Sequence, residues 1–212
     1  MNFINKNVLV LAPHTDDGEL GCGGTIAKML EEKANVYYAA FSTADQSVPA
    51  HFPSNQLEIE VMDATAALGI HPNNVIVYKH EVRKLNFVRQ EILENLLGLR
   101  NDIRPDIVFM PSSKDIHQDH ITVTNEAIRA FKFSTLLGYE LIWNNLSFHT
   151  DCFIKLKEWH VKKKIEALQQ YKTQEGKRYM DPNFIHSLAN VRGTQIGTDY
   201  AETFELIRWI IQ

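Results

Sequence analysis

Short apolar runs at residues 7–12, 36–41, 75–78 and 107–110 alternate with longer stretches whose apolar side chains recur at helical spacing, and few folds accept that alternation. Strand-helix-strand units of this kind build a mainly parallel sheet with helices packed on its faces. In such a sheet the carboxyl ends of the strands emerge along one edge, and ligands bind in the crevice there. The expected fold class is α/β, and residues far apart in sequence can meet at that edge.

Periodicity along the chain predicts a helix over 24–33 after the first strand, then a strand over 36–41. Residues 42–55 are polar, carry Pro49 and Pro53, fit neither period, and read as a surface loop able to form part of a binding rim. Leu57, Val61, Ala64 and Leu68 mark the next helix, and Gly69 supplies its stop. Phe87, Val88, Ile92, Leu96 and Leu99 share one face of a helix over 85–100, and Pro105 precedes the strand over 107–110. A helix over 121–131, a strand over 136–141 and a longest helix over 153–174 follow. The tail, 181–212, mixes turn residues with apolar positions and carries no assignment. One domain spanning 1–212 is expected.

The 212 residues carry a formal net charge of -4 with acids and bases interspersed, which leaves no electrostatic footprint for nucleic acid or an anionic membrane. Lys162, Lys163 and Lys164 form the only basic cluster and fall in a helical pattern, so a solvated helix face accounts for them. No apolar run approaches the ~20 residues of an integral membrane segment, and the N-terminus lacks the composition of a secretory signal. The two cysteines, Cys22 and Cys152, form neither a ligand pair nor a disulfide framework, as expected in the cytoplasm. Oligomeric state is left open, a homo-oligomer being compatible with the sequence.

Two strand ends carry the chemistry. After the first comes Ala12-Pro13-His14-Thr15-Asp16-Asp17-Gly18-Glu19-Leu20-Gly21-Cys22-Gly23-Gly24, and after the strand over 107–110 comes Pro111-Ser112-Ser113-Lys114-Asp115-Ile116-His117-Gln118-Asp119-His120. A catalytic zinc takes three imidazole or carboxylate ligands and keeps one position open. His14, one Asp of the pair, and His120 fit that count. Taken singly, each has a plainer reading, since Asp at a helix N-terminus is favoured by the dipole and His often caps or packs. Together the two clusters point to a metal site at the carboxyl ends of the strands. The glycine turn lacks G-x-G-x-x-G spacing and carries two acids that would repel a pyrophosphate, so a dinucleotide site is not expected. Cys22 reads as a small thiol filling space, Glu19 as a dipole partner, and Asp115 as a turn cap. His51, His80 and His186 read as surface or packing residues.

The stretch Ala12 to Gly24 and the run His117-Gln118-Asp119-His120 resemble the PIG-L (LmbE-like) family of zinc-dependent N-acetylglucosaminyl deacetylases, with its motifs A-H-P-D-D-x-E-x-G-C-G-G and H-x-D-H. Weaker similarity covers 60–69, 164–174, Arg192-Gly193 and 200–204. The resemblance implies a Rossmann-like three-layer fold in which His14, Asp17 and His120 hold Zn2+, with Fe2+ or another divalent metal as substitutes. It further implies that Asp16 is the general base, and that His117, in protonated form, stabilises the oxyanion or serves as acid to the leaving amine. Asp119 then orients a ligand imidazole. The implied substrate is a small-molecule conjugate of an N-acetylated amino sugar of the N-acetylglucosamine type, cleaved to amine and acetate. Two departures stand out. Thr15 replaces the family's usual proline, and Ser42-Thr43-Ala44-Asp45 lacks the arginine of a T-R-G-E motif, for which Arg83 and Arg89 are candidate substitutes in substrate binding. Two other classes compete: a non-haem iron enzyme, which shares the two-His-one-carboxylate pattern, and a non-catalytic sugar- or nucleotide-binding module on the same fold.

Overall fold

The first strand, β1 (Asn7–His14), is buried on both faces because its alternate side chains enter two different cores. Val8, Val10 and Ala12 face one helix layer, while Leu9 and Leu11 face the other. The structure, a computed structural model, describes residues 3–211, so residue 212 of the unassigned tail lies outside it.

Alternation continues through α1 (Asp17–Glu31), β2 (Asn35–Ser42), α2 (Gln56–Leu68), β3 (Val75–Val77), α3 (Arg89–Ile103), β4 (Ile107–Pro111), α4 (Gln118–Ala130) and β5 (Thr135–Tyr139). Then come β6 (Cys152–Leu156), α5 (Glu158–Leu168), α6 (Pro182–Thr194) and β7 (Tyr200–Arg208). The sheet order is β3-β2-β1-β4-β5-β7-β6, parallel from β3 to β5, with β7 antiparallel to both its neighbours. Helices α1, α2, α5 and α6 contribute to one core and α3 and α4 to the other, giving the expected three layers. Strand order reverses between β1 and β4, and the loops bearing the two His/Asp clusters leave those adjacent strands.

Some elements differ from the sequence expectation. The glycine cluster after β1 does not form a turn: α1 begins at Asp17 and runs through it, with one non-helical residue, Cys22, at φ -146 and ψ 24. A Cβ at Gly21 would lie 2.2 Å from the Tyr139 ring, so glycine lets the helix approach the sheet. Residues 153–156 belong to a strand, and the helix expected to be longest starts only at Glu158 and spans 11 residues. Apolar Phe153, Ile154 and Leu156 carry both periods, and pairing with β7 decides for extended backbone. That partner comes from the tail, which folds into α6 and β7. Gly69 ends α2 at φ 97, as its position predicts.

The kink in α1 frees backbone donors that a buried carboxylate then collects. Glu202 of β7 accepts from the N–H of Gly24 at 3.1 Å and of Thr25 at 2.6 Å, and pairs with Lys164 of α5 at 2.7 Å. Lys162 and Lys163 lie on the solvated face, paired with Glu158 and Glu166, whereas Lys164 is a buried ion-pair partner. Breaking such a pair leaves an uncompensated buried charge, costing about 3–5 kcal/mol. Lys164→Met is expected to lower the unfolding free energy by that amount in denaturant titration. A change under about 0.5 kcal/mol, the range of neutral surface substitutions, would show the pair to be dispensable.

Candidate metal and catalytic centre

His14 is the last residue of β1, and Asp16 and Asp17 open α1, so the first cluster sits where strand passes into helix. On the neighbouring strand, His117 is the residue capping α4, and Asp119 and His120 lie in that helix's first turn. Helix α4 thus starts at Gln118, three residues earlier than the apolar pattern marks, and places His117 and His120 one turn apart on the same side.

The two loops meet. His14 Nδ1 lies 3.2 Å from His120 Nε2, and each nitrogen lies 3.1 Å from Asp17 Oδ2. Three ligand-type atoms therefore form a near-equilateral triangle. Tetrahedral nitrogen and oxygen ligands of zinc are separated by about 3.3–3.5 Å, so the spacing fits a small divalent cation. The outward nitrogens are also committed. His14 Nε2 bonds Asp119 Oδ2 at 3.0 Å, and His120 Nδ1 bonds Asp115 Oδ2 at 2.7 Å. A carboxylate on one ring nitrogen holds the proton there and aims the other nitrogen's lone pair inward. One nitrogen from each of His14, His117 and His120 also lies within 4.8 Å of the others, which makes a second donor combination.

Electrostatics match a site built around a cation. Burial disfavours charge on His14 and His120, but Asp17 and the carboxylates behind each ring outweigh it, raising them to about 9 and about 10 without the ion. Burial alone would raise Asp17, yet His120 and His14 hold it far below the carboxylate range. Burial, then the neighbouring Asp17 charge, raises Asp16 to about 6, with His14 and Lys177 opposing. These values describe a cluster that attracts protons into the place a metal would take.

His117 caps α4 beside the two other imidazoles. Its Nδ1 accepts from the N–H of Asp119 at 3.2 Å, and burial together with His120 and His14 lowers its pKa. Both the accepted hydrogen bond and the direction of the shift favour a neutral ring with its proton on Nε2 over an imidazolium. Asp119 lies beside the His14 imidazole. Its carboxylate also accepts from the backbone N–H of Arg83 at 2.6 Å and of Leu85 at 3.2 Å. Asp115, read only as a turn cap, accepts from the His117 N–H at 2.8 Å and also orients His120.

Glu19 is buried beneath the loop rather than simply facing a helix dipole. The Tyr38 and Tyr171 hydroxyls donate to the Thr15 carbonyl at 2.8 Å and 2.7 Å. Both phenols also contact the Glu19 carboxyl, and burial, opposed by the two hydroxyls, raises that group to about 8. Cys22 is a buried thiol, as expected. His51 is exposed, His80 bonds Asn95, and His186 packs on Tyr200, all away from the cluster.

A cleft of about 320 Å³ opens over His14, Asp16, Asp17, His117 and His120. Ala44 and Ser47 from the polar loop form part of its rim, as that loop's composition suggests. Arg83 lines the cleft as well. Arg89 does not: its guanidinium bonds buried Glu126, with Nε at 2.7 Å, which removes it from the substrate candidates. Trp143, Tyr179 and Lys177 also line the cleft and were missed by sequence reading. The Trp143 and Tyr179 rings stack with centroids 4.3 Å apart, forming an aromatic wall from segments with no recognisable period.

Residues 9–131 match the family model described as PIG-L, GlcNAc-PI de-N-acetylase. The chain belongs to the PIG-L family. Over 174 residues it is 26% identical to Escherichia coli (strain K12) "Uncharacterized deacetylase YaiS", covering 79% of this chain and 91% of that protein. It is 30% identical over 143 residues to diacetylchitobiose deacetylase from Thermococcus kodakarensis, covering 63% of this chain but 52% of the relative. Among solved structures, the conserved protein TT1542 from Thermus thermophilus superposes with a TM-score of 0.83 at 25% identity, covering 98% of this chain and 97% of that one. The PIG-L motifs thus occupy the same switch-point loops that the geometry singles out.

The hydrogen bond from the Asp119 N–H makes a spectroscopic prediction. Long-range nitrogen-proton NMR of the metal-free protein at neutral pH is expected to find His117 in the Nε2–H tautomer. An Nδ1–H tautomer or an imidazolium would overturn the assignment.

Proposed function

We propose that this chain is a metal-dependent N-deacetylase that hydrolyses the acetamide of an N-acetylglucosamine-type sugar conjugate, with His14, Asp17 and His120 as ligands of Zn2+. The convergence of three donor atoms at 3.1–3.2 Å, with two imidazoles tied from behind by Asp119 and Asp115, carries this reading. The metal itself is inferred from that donor set; Fe2+ would accept the same ligands. When bound, the ion supplies Lewis acidity that acidifies water and polarises a carbonyl.

The remaining steps fall to the chain's own side chains. Asp16, adjacent to the ligand carboxylate yet free of the triangle, takes a proton from the attacking water as its oxygen bonds the acetamide carbon. The Nε2–H of His117 donates to the carbonyl oxygen as it gains negative charge. Collapse breaks the C–N bond, and Asp16 passes its proton to the departing nitrogen, giving the free amine and acetate. A neutral His117 has no spare proton to give without becoming an anion, which is why Asp16 serves in both directions. Asp119 and Asp115 act through the imidazoles that they orient.

Trp143 and Tyr179 offer an apolar wall against which a pyranose ring can pack. The Thermococcus relative named for diacetylchitobiose supports an N-acetylated sugar as substrate. Among the described residues no helix is long and apolar enough to cross a membrane, and a small-molecule conjugate is the substrate proposed. The two free thiols accord with the cytoplasmic location that belongs to this reading.

Asp16→Asn is expected to retain stoichiometric metal but lose at least ~100-fold in turnover, the usual contribution of a general base. Full acetate release by that variant would refute the assignment. His120→Ala should lose metal on dialysis, as measured by elemental analysis, and an unchanged metal content would remove His120 from the ligand set. Chelation should abolish acetate release from N-acetylglucosamine conjugates, and restored zinc should recover it; chelator-resistant release would exclude metal dependence.

A further inference from the structure

We infer that Tyr38 and Tyr171 are positioning residues of the reaction: their hydroxyls clamp the backbone around Asp16 and Asp17 and so fix where the Asp16 carboxylate stands. The inference rests on the deacetylase reading and adds how its general base is held.

The two adjacent carboxylates are fixed in different ways. Asp17 is held through its side chain, which accepts from the His14 N–H at 2.8 Å and lies 3.1 Å from both inward imidazole nitrogens. Asp16 stands at the N-cap of α1, with φ -96 and ψ -10, but its carboxylate caps no backbone donor of that helix. Its direction is therefore set by the backbone that carries it. Threonine at position 15 does not lock φ as a proline would, so restraint on the Thr15–Asp16 peptide has to come from outside the loop.

Two distant elements supply that restraint. Tyr38 lies in β2 and Tyr171 just after α5, and both are buried. The Tyr38 hydroxyl spans the acidic pair. It donates to the Thr15 carbonyl at 2.8 Å, on the peptide that enters Asp16, and accepts from the Gly18 N–H at 3.1 Å, on the peptide that leaves Asp17. Tyr171 meets the same carbonyl at 2.7 Å. Thr15 is itself buried, so these phenols take the place of solvent at its carbonyl.

The local sequence admits the clamp. A Cβ at Gly18 would lie 2.5–2.7 Å from Cε2, Cζ and the hydroxyl oxygen of Tyr38, so glycine at that position lets the phenol reach between the two peptides. Phenylalanine would pack the same space without burying a hydroxyl, which costs free energy unless it is bonded. Both hydroxyls are directed at this one loop, where they also contact Glu19.

The test measures acetate release from an N-acetylglucosamine conjugate by zinc-loaded protein carrying Tyr38→Phe, Tyr171→Phe or both. Each is made with Asp16 present and in the Asp16→Asn background. With Asp16 present, kcat is expected to fall about tenfold in each single variant and about 100-fold in the double, the cost of a 1 Å misplacement, while KM and zinc content hold. In the Asp16→Asn background the same substitutions should change the residual rate by less than about twofold, because residues that act as a unit are not additive. General destabilisation lowers the rate equally in both backgrounds, and that result would overturn the inference. An unchanged kcat in the double variant with Asp16 present would overturn it as well. Gly18→Ala keeps both hydroxyls but displaces the Tyr38 ring, and it should show the same dependence on Asp16; it carries the comparison where a Phe variant does not fold. If the unaltered protein releases no acetate, the deacetylase reading fails separately. The clamp is then read from nitrogen-15 relaxation of the Asp16 and Gly18 amides, with order parameters of about 0.85 expected in the unaltered protein and below about 0.6 in the double variant. Equal values in the two proteins would refute it.

Discussion

Asp119 holds the centre together. One oxygen of its buried carboxylate accepts from His14 and from the Arg83 N–H, and the other accepts from the Leu85 N–H. A single side chain in the first turn of α4 thereby joins β1, α4 and the loop leading to α3. The charge survives burial because every nearby donor is aimed at it, so its pKa stays low despite desolvation. Asp115 does the same for His120, and the two together leave inward lone pairs that need a cation.

Parallel strand pairing supplies the precision. β1 and β4 are hydrogen-bonded neighbours at the switch point, so side chains 106 residues apart approach within 3.2 Å. Glycine within α1 lets that helix come close to Tyr139, and Glu202 caps the donors freed by its kink. Beneath the loop, two phenols grip the Thr15 carbonyl. Threonine in place of the family's proline is therefore accommodated: the loop is held through a backbone carbonyl that either residue provides. The first core layer, the kink and the loop after β1 are parts of one packed unit.

Much of this was legible in the chain. The alternation of periods marked the α/β class, and the motifs after β1 and β4 named His14, Asp16, Asp17, His117, Asp119 and His120 before any contact was known. The Gly21 region misled because glycine serves both turns and close packing, and only the nearby Tyr139 ring distinguishes them. Residues 153–156 misled because a short apolar run satisfies either period. Asp115 stayed hidden because its function lies in the direction of one carboxylate oxygen, which spacing does not encode. Arg83 and Arg89 were equal as candidates, since both precede or open the same helical region; Glu126 separates them by pairing with one alone.

By itself, the sequence determined which ligand-type residues stand at which strand ends, because local periodicity and motif order are written along the chain. Only the tertiary structure decided the shifts that lower His117 and raise Glu19, because these depend on burial and on partners brought from other elements. It likewise decided the cleft wall. Trp143, Lys177 and Tyr179 belong to irregular segments, and their neighbours in space are set by sheet order and packing, which no nearby residue in the sequence specifies.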